Sequence, residues 1–130
     1  MGAANQKKNI NFLPHHLIMK IDLSGFESQR VTRAGLRELV EGIELLPCIR
    51  SLNLSRNGLT DDCDKEILDL FSITKLRAIN LSFNNLKKLG FHIGKKMRDE
   101  ITHINWIDMT MNDFDKDSST VSMLVQVIKR

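Results

Sequence analysis

The chain has 130 residues, of which 42% are hydrophobic and 27% are charged, and its formal net charge is +3. This size fits one domain with a single modest core, and so small a charge does not by itself indicate nucleic-acid or membrane binding. No apolar run approaches the roughly 18 residues that a membrane-spanning helix needs, and residues 1–8 lack the apolar stretch of a secretory signal. Cys48 and Cys63 lack the spacing of a metal or redox motif, so we expect two free thiols in a reducing, cytoplasmic compartment.

Residues 1–16 are interpreted as an N-terminal tail or cap, and residues 17–130 as the folded domain. The start Met1-Gly2 resembles a myristoylation signal, with Lys7 and Lys8 available as a second, electrostatic anchor. Gln6 occupies the place where Ser or Thr is usual, which argues against a lipid anchor. We therefore expect no membrane association, and a polar segment that shields the edge of the first strand.

The strongest signal in the sequence is an internal repeat. Segments 49–59 and 76–86 both follow the pattern L-x-x-L-x-L-x-x-N-x-L, with Ile or Leu at the apolar positions. Segment 104–114 is a third copy, and segment 18–26 is a weaker first copy. The central apolar residue of each copy lies at position 21, 52, 79 or 107, in steps of 31, 27 and 28 residues. Each copy is predicted to be a strand.

The segments between the strands are predicted to be helices. The first begins with Thr32 as its N-cap and ends before Pro47, and the second opens with the acidic pair Asp61 and Asp62. The third contains Gly90 and Gly94, which weaken a helix, and the fourth is capped by Asp117 or Ser118. The inward faces of the four helices comprise Leu36, Leu39, Val40 and Ile43; Ile67, Leu68 and Phe71; Leu89, Ile93 and Met97; and Val121, Leu124, Val125 and Ile128.

These residues resemble the leucine-rich-repeat family over residues 17–130, and the step length resembles its ribonuclease-inhibitor-like subtype. The resemblance implies an α/β fold: a leucine-rich-repeat solenoid shaped as a horseshoe arc, with a concave parallel β-sheet, convex helices and about four repeats. It also implies that a buried Asn amide closes each strand, at Asn57, Asn84 and Asn112. Phe26 stands where the first repeat would carry this Asn, as expected of an irregular terminal repeat.

The concave face is where we expect function to lie, because repeat proteins usually bind their ligands there. Alternate strand residues face outward, and aligning the copies gives five outward columns. From the start of the strands to their end, they are Met19, Arg50, Arg77 and Asn105; Lys20, Ser51, Ala78 and Trp106; Asp22, Asn53, Asn80 and Asp108; Ser24, Ser55, Ser82 and Thr110; and Gly25, Arg56, Phe83 and Met111.

Exposed aromatic, Met and Arg side chains are enriched at the centres of protein interfaces. We therefore predict that a partner protein binds Arg50, Asn53, Arg56, Arg77, Asn80, Phe83, Trp106, Asp108 and Met111. The alternative is structural, with Trp106 packed against a loop or cap and Phe83 packed against its neighbour.

Other motifs give no support for catalysis. Segment 90–96 resembles a phosphate-binding loop but has one residue too few between its glycines, and Lys96 in place of Ser or Thr. Asp113, Asp115 and Asp117 have calcium-loop spacing without the required Gly and Glu. The four histidines offer no metal-ligand spacing beyond one adjacent pair. We expect no enzyme activity, no metal and no cofactor.

The leading hypothesis is a cytoplasmic, non-enzymatic adaptor that binds another protein through its concave face, and we favour a monomer that binds no nucleic acid. The alternative is a structural module that self-associates, or joins a longer repeat scaffold, through an open terminal strand. A third reading is nucleic-acid or lipid binding by the basic residues around the third helix, but a solvated face explains them better. These basic residues are Lys87, Lys88, Lys95, Lys96 and Arg98.

Overall fold

Strands and helices alternate along the chain in the computed structural model, which describes residues 17–25, 30–100 and 103–114. The elements are β1 (Lys20–Asp22), α1 (Arg33–Ile43), β2 (Ser51–Asn53), a 3-10 turn (Asp61–Cys63), α2 (Asp64–Phe71), β3 (Ala78–Asn80), α3 (Leu89–Asp99) and β4 (Trp106–Asp108). The four strands form one parallel sheet in the order β1-β2-β3-β4. The α/β class and the parallel sheet are therefore confirmed.

The register of the sheet follows the repeat alignment. Lys20, Ser51, Ala78 and Trp106 lie side by side, and so do Asp22, Asn53, Asn80 and Asp108. The hydrogen-bond ladder continues beyond the short strands, since the N–H of Leu54 donates to the carbonyl of Asn80 at 2.8 Å. A shift of one residue would turn the apolar side chains outward, so the alternation of apolar and polar residues specifies this pairing.

Helix α1 begins as predicted and ends slightly earlier than expected. Thr32 is its N-cap, with Oγ1 accepting the N–H of Gly35 at 3.1 Å. The helix ends at Ile43, four residues before Pro47. At this end the Lys75 ammonium, from the next repeat, donates to the carbonyls of Ile43, Glu44 and Leu46 at 2.7–3.3 Å. These bonds satisfy carbonyls that a helix end leaves unpaired.

A second charged side chain caps a helix across repeats. The Asp61 carboxylate accepts the N–H groups of Lys87 and Lys88 at 2.9 Å and that of Leu89 at 3.4 Å, at the start of α3. A carboxylate is favourable there because the first N–H groups of a helix are unpaired and the helix dipole is positive. The second repeat therefore caps the helices on both sides of it.

The core fills the space between the sheet and the helices. The inward strand residues Leu52, Leu54, Ile79 and Leu81 are fully buried. At the β1 end of the sheet, Ile21 is only half-buried and Leu23 is exposed. The helix residues that complete the core include Leu36, Ile67, Leu70, Phe71, Leu89 and Ile93.

Three sequence predictions lie outside the described residues: the N-terminal tail or cap of residues 1–16 with its myristoylation-like start, the irregular Phe26, and the fourth helix. Among the described helices, none has both the length and the apolar character needed to cross a membrane.

Candidate protein-binding surface

A tight turn held by an Asn side chain follows each of β2, β3 and β4. Asn84 is buried, and its Nδ2 donates to three backbone carbonyls at 3.0–3.2 Å. Its Oδ1 accepts the N–H groups of Asn57 and Leu59, both at 3.0 Å. Nδ2 of Asn57 and of Asn112 likewise donates to three carbonyls, one of them in the preceding repeat. Their Oδ1 atoms accept one N–H each, from Val31 and Leu86. Asn57 is buried like Asn84, whereas Asn112, predicted to be buried too, is only half-buried. Because each amide is bonded to several backbone groups, these three side chains fix the position of the residue that precedes each of them.

Those preceding residues, Arg56, Phe83 and Met111, form what we call the left-handed row. Their φ angles are 61°, 56° and 57°, in the region that non-glycine residues seldom adopt. The same angle recurs in three repeats, so the turn imposes it whatever the side chain. The turn therefore does not require a particular side chain at these positions, which hold Arg, Phe and Met.

The left-handed row presents one cationic and two apolar side chains on neighbouring repeats. The guanidinium carbon of Arg56 lies 4.0 Å from the centroid of the Phe83 ring, which is a cation–π contact. The side chains of Phe83 and Met111 are 41% and 66% exposed. The N–H of Phe83 donates to the carbonyl of Thr110 at 3.0 Å, which ties the two repeats together beside these side chains.

Trp106 lies in a different part of the same sheet face. It begins β4 and pairs with Ala78, whereas Phe83 follows the end of β3. Its side chain is 52% exposed, and the small neighbour Ala78 leaves room beside it. The aromatic and Met residues of the predicted surface therefore form two patches, the left-handed row and Trp106, in agreement with their separate columns in the alignment.

The polar column Asn53, Asn80 and Asp108 has a structural task that sequence reasoning did not identify. In each case Oδ1 accepts the backbone N–H of the residue two positions later, at 2.9 or 3.0 Å. Asp22 makes the same bond to Ser24, and hydrogen bonds from the Ser24 side chain and backbone lower the pKa of Asp22. These closures are Asx turns, and the spacing Asx-x-Ser/Thr in all four repeats is the signal that could have revealed them. They use one oxygen of each side chain for the turn.

Arg50 and Arg77 are anchored before their strands. Nη1 of Arg50 donates to the carbonyl of Ile49 at 2.7 Å, and Nη1 of Arg77 donates to the carbonyls of Thr74 and Leu76 at 2.6 and 3.1 Å. Both lie directly before one of the two inner strands of the sheet, β2 and β3. Nη1 of each arginine is bound to backbone carbonyls. These two side chains, predicted to bind a partner protein, therefore also hold the backbone in front of their strands.

The described part of the chain gives little support for a metal site, a cysteine nucleophile or an anion-binding basic segment. No group of three or more His, Cys, Asp or Glu residues in it could hold a metal ion. Cys63 is buried, and burial raises the pKa of its thiol, which disfavours a nucleophilic thiolate. Within the basic segment, Lys96 pairs with Glu100 at 3.0 Å and Arg98 with Asp99 at 2.7 Å.

Comparisons with known proteins indicate the fold of the chain but do not assign it to a family. No protein-family model matches the chain, and no curated protein matches it. A solved structure from Caenorhabditis elegans, the tropomodulin C-terminal domain, is similar with a TM-score of 0.62 and 11% sequence identity. The match covers 99% of this chain and 93% of that one. With four parallel strands and three α-helices among its described residues, the chain has a leucine-rich-repeat-like fold.

Proposed function

We propose that the chain is a non-enzymatic module that binds another protein through the outward face of its parallel sheet. In this proposal it is a ribonuclease-inhibitor-like leucine-rich-repeat arc and acts as a cytoplasmic adaptor. The left-handed row supplies the centre of the contact, and Trp106 supplies a second anchor on the same face.

One observation carries the proposal: large apolar side chains are exposed on the sheet face at positions whose backbone is set by the hydrogen bonds of the Asn that follows. Phe83 and Met111 occupy a conformation in which Asn or Gly would be less strained. They also expose apolar surface to water, which usually marks a contact site. A rigid frame that presents Met, aromatic and Arg side chains has the composition of an interface core.

The test uses substitutions that suit the backbone. Asn tolerates positive φ, so the double variant Phe83→Asn with Met111→Asn keeps the turn and removes the apolar surface. We expect it to fold and to recover its partner from native lysate at least about tenfold less than the original chain, as for loss of interface hot spots.

The matched control is Leu45→Asn, which removes an exposed apolar side chain from the turn after α1. It should recover the same protein as the original chain does. Equal recovery by the double variant and the control, with both folded by circular dichroism, would contradict the proposal.

A further inference from the structure

Strand β1 forms one edge of the sheet, and this edge is a surface separate from the left-handed row. In the described ranges β1 pairs only with β2. The carbonyl of Met19 accepts the N–H of Ser51 at 3.0 Å, and the N–H of Leu23 donates to the carbonyl of Asn53 at 2.9 Å. The backbone N–H and C=O groups of the odd-numbered residues Met19, Ile21 and Leu23 therefore face β2. Successive residues of a strand point their N–H and C=O groups to opposite sides, so those of Lys20 and Asp22 face the side of β1 on which no other described strand lies.

The sequence of this edge is complementary to itself. An antiparallel neighbour must place residues with outward backbone groups opposite each other, so a second copy has three simple registers, centred on residue 20, 21 or 22. Centring on Lys20 or Asp22 sets like charges opposite each other, which is unfavourable. Centring on Ile21 sets Lys20 opposite Asp22 of the second copy, and Asp22 opposite its Lys20. Charges on edge strands normally oppose pairing, but here they favour one register.

The same register also matches the exposed apolar residues. It places Met19, 58% exposed, opposite Leu23 of the second copy, and Leu23, 36% exposed, opposite its Met19. These side chains lie on the helix side of the sheet, together with Ile21, because they alternate with Lys20 and Asp22. An apolar groove of about 560 Å³ opens there between β1 and α1, lined in part by Ile21, Leu23, Leu39 and Leu46.

We propose that β1 is a self-association site at which a second copy of this chain pairs antiparallel about Ile21. The pairing joins two four-stranded sheets into one sheet of eight strands. Its contacts are two backbone-bonded Lys20–Asp22 pairs on one face and three apolar pairs on the other. A two-fold axis through Ile21 makes the contact closed, so a dimer forms and growth stops there. The sequence alone favoured a monomer, since it did not show which backbone groups face outward.

The experiment is a charge exchange followed by native mass spectrometry and sedimentation over a concentration series, with the 130-residue chain. Asp22→Lys sets Lys against Lys in both pairs, and Lys20→Asp sets Asp against Asp. Each single variant should dimerise at least tenfold more weakly than the original chain. An equimolar mixture of the two should form a heterodimer, because each Lys then meets an Asp. A double variant carrying both substitutions should form a homodimer again.

The mixture guards against misfolding, because two misfolded chains would not restore each other. Phe83→Asn with Met111→Asn should dimerise like the original chain, which separates this site from the partner-binding surface. The proposal is overturned if the original chain stays monomeric up to millimolar concentration. It is also overturned if the single variants dimerise as well as the original chain, or if their mixture yields no heterodimer.

Discussion

Glu66 is the one charged side chain that is buried among the described residues, and it joins α2 to α1. Its Oε1 accepts Nε of Arg33 at 3.0 Å and Nε of Arg37 at 2.9 Å, while its Oε2 has no hydrogen-bond partner in that part of the chain. Burial raises the pKa of this carboxyl, but hydrogen bonds from Arg37 and Arg33 outweigh it and hold the pKa at about 2. The folded state therefore stabilises the ionised form of the Glu66 carboxyl.

The first prediction concerns the pH dependence of stability. The folded pKa of Glu66 lies below its unfolded value of 4.5, so its contribution is present above pH 4.5 and is lost as the pH falls toward about 2. Glu66→Gln should lower the free energy of unfolding at neutral pH by about 2 kcal/mol, as for a hydrogen bond to a charged group. It should also flatten the stability profile below pH 4.5 in urea titrations.

The control for this prediction is Glu41→Gln, at an exposed position of α1, the helix that carries Arg33 and Arg37. It should keep the pH profile of the original chain. Profiles of the two variants that coincide would show that the buried carboxylate does not set the acid sensitivity.

Asn84 tests whether the Asn side chains hold the repeats together. Asn84→Ala removes the partners of several buried backbone groups, each of which costs about 1–3 kcal/mol when left unpaired. We expect the free energy of unfolding to fall by about 3 kcal/mol or more in urea titration. Asn85→Ala, at the exposed position next to it, should change stability by less than about 0.5 kcal/mol. Similar losses in both variants would mean that the amide bonds contribute little.

At the scale of elements, the helices depend on contacts between repeats that a single helical pattern does not show. Gly90 looks like a defect in α3, yet a Cβ there would lie 2.7 Å from Cδ1 of the Phe114 ring. Gly42 in α1 has nothing within 4 Å of an added Cβ. The two glycines therefore have opposite roles, although both lie inside helices.

This contrast gives a paired prediction. Gly42→Ala should stabilise the fold by up to about 1 kcal/mol through helix propensity. Gly90→Ala should destabilise it, because Phe114 must move away from the start of α3. Thermal unfolding of the two variants side by side measures the difference, and a rise in melting temperature for Gly90→Ala would contradict the packing argument.

The whole molecule shows which features the repeat pattern can predict. Strand pairing was predictable because residues at equal positions, such as Leu52 and Ile79, must meet when identical units stack in parallel. The cap that Asp61 provides for α3 was not, since the residues it joins lie 26–28 positions apart. The separation of Trp106 from Phe83 was predictable too, because the alignment places Trp106 in a column at the start of the strands and Phe83 in the column at their end. The outward column of Asp22, Asn53, Asn80 and Asp108 was predictable, but its Asx turns were overlooked. Two other predicted outward columns were wrong in part, because Ser55 and Ser82 are buried and Met19 lies on the helix side of the sheet.

The central claim is that a partner protein covers the left-handed row. Hydroxyl-radical footprinting read by mass spectrometry tests it most directly, because Met and aromatic side chains are readily oxidised when exposed. Met111, at 66% exposure, reports on the row, and Met19 at the far edge of the sheet is the internal reference. With the partner captured by the original chain, we predict that oxidation of Met111 and Phe83 falls on binding while Met19 is unchanged. Unchanged oxidation of Met111 in the complex would contradict the account and would place the partner on another surface.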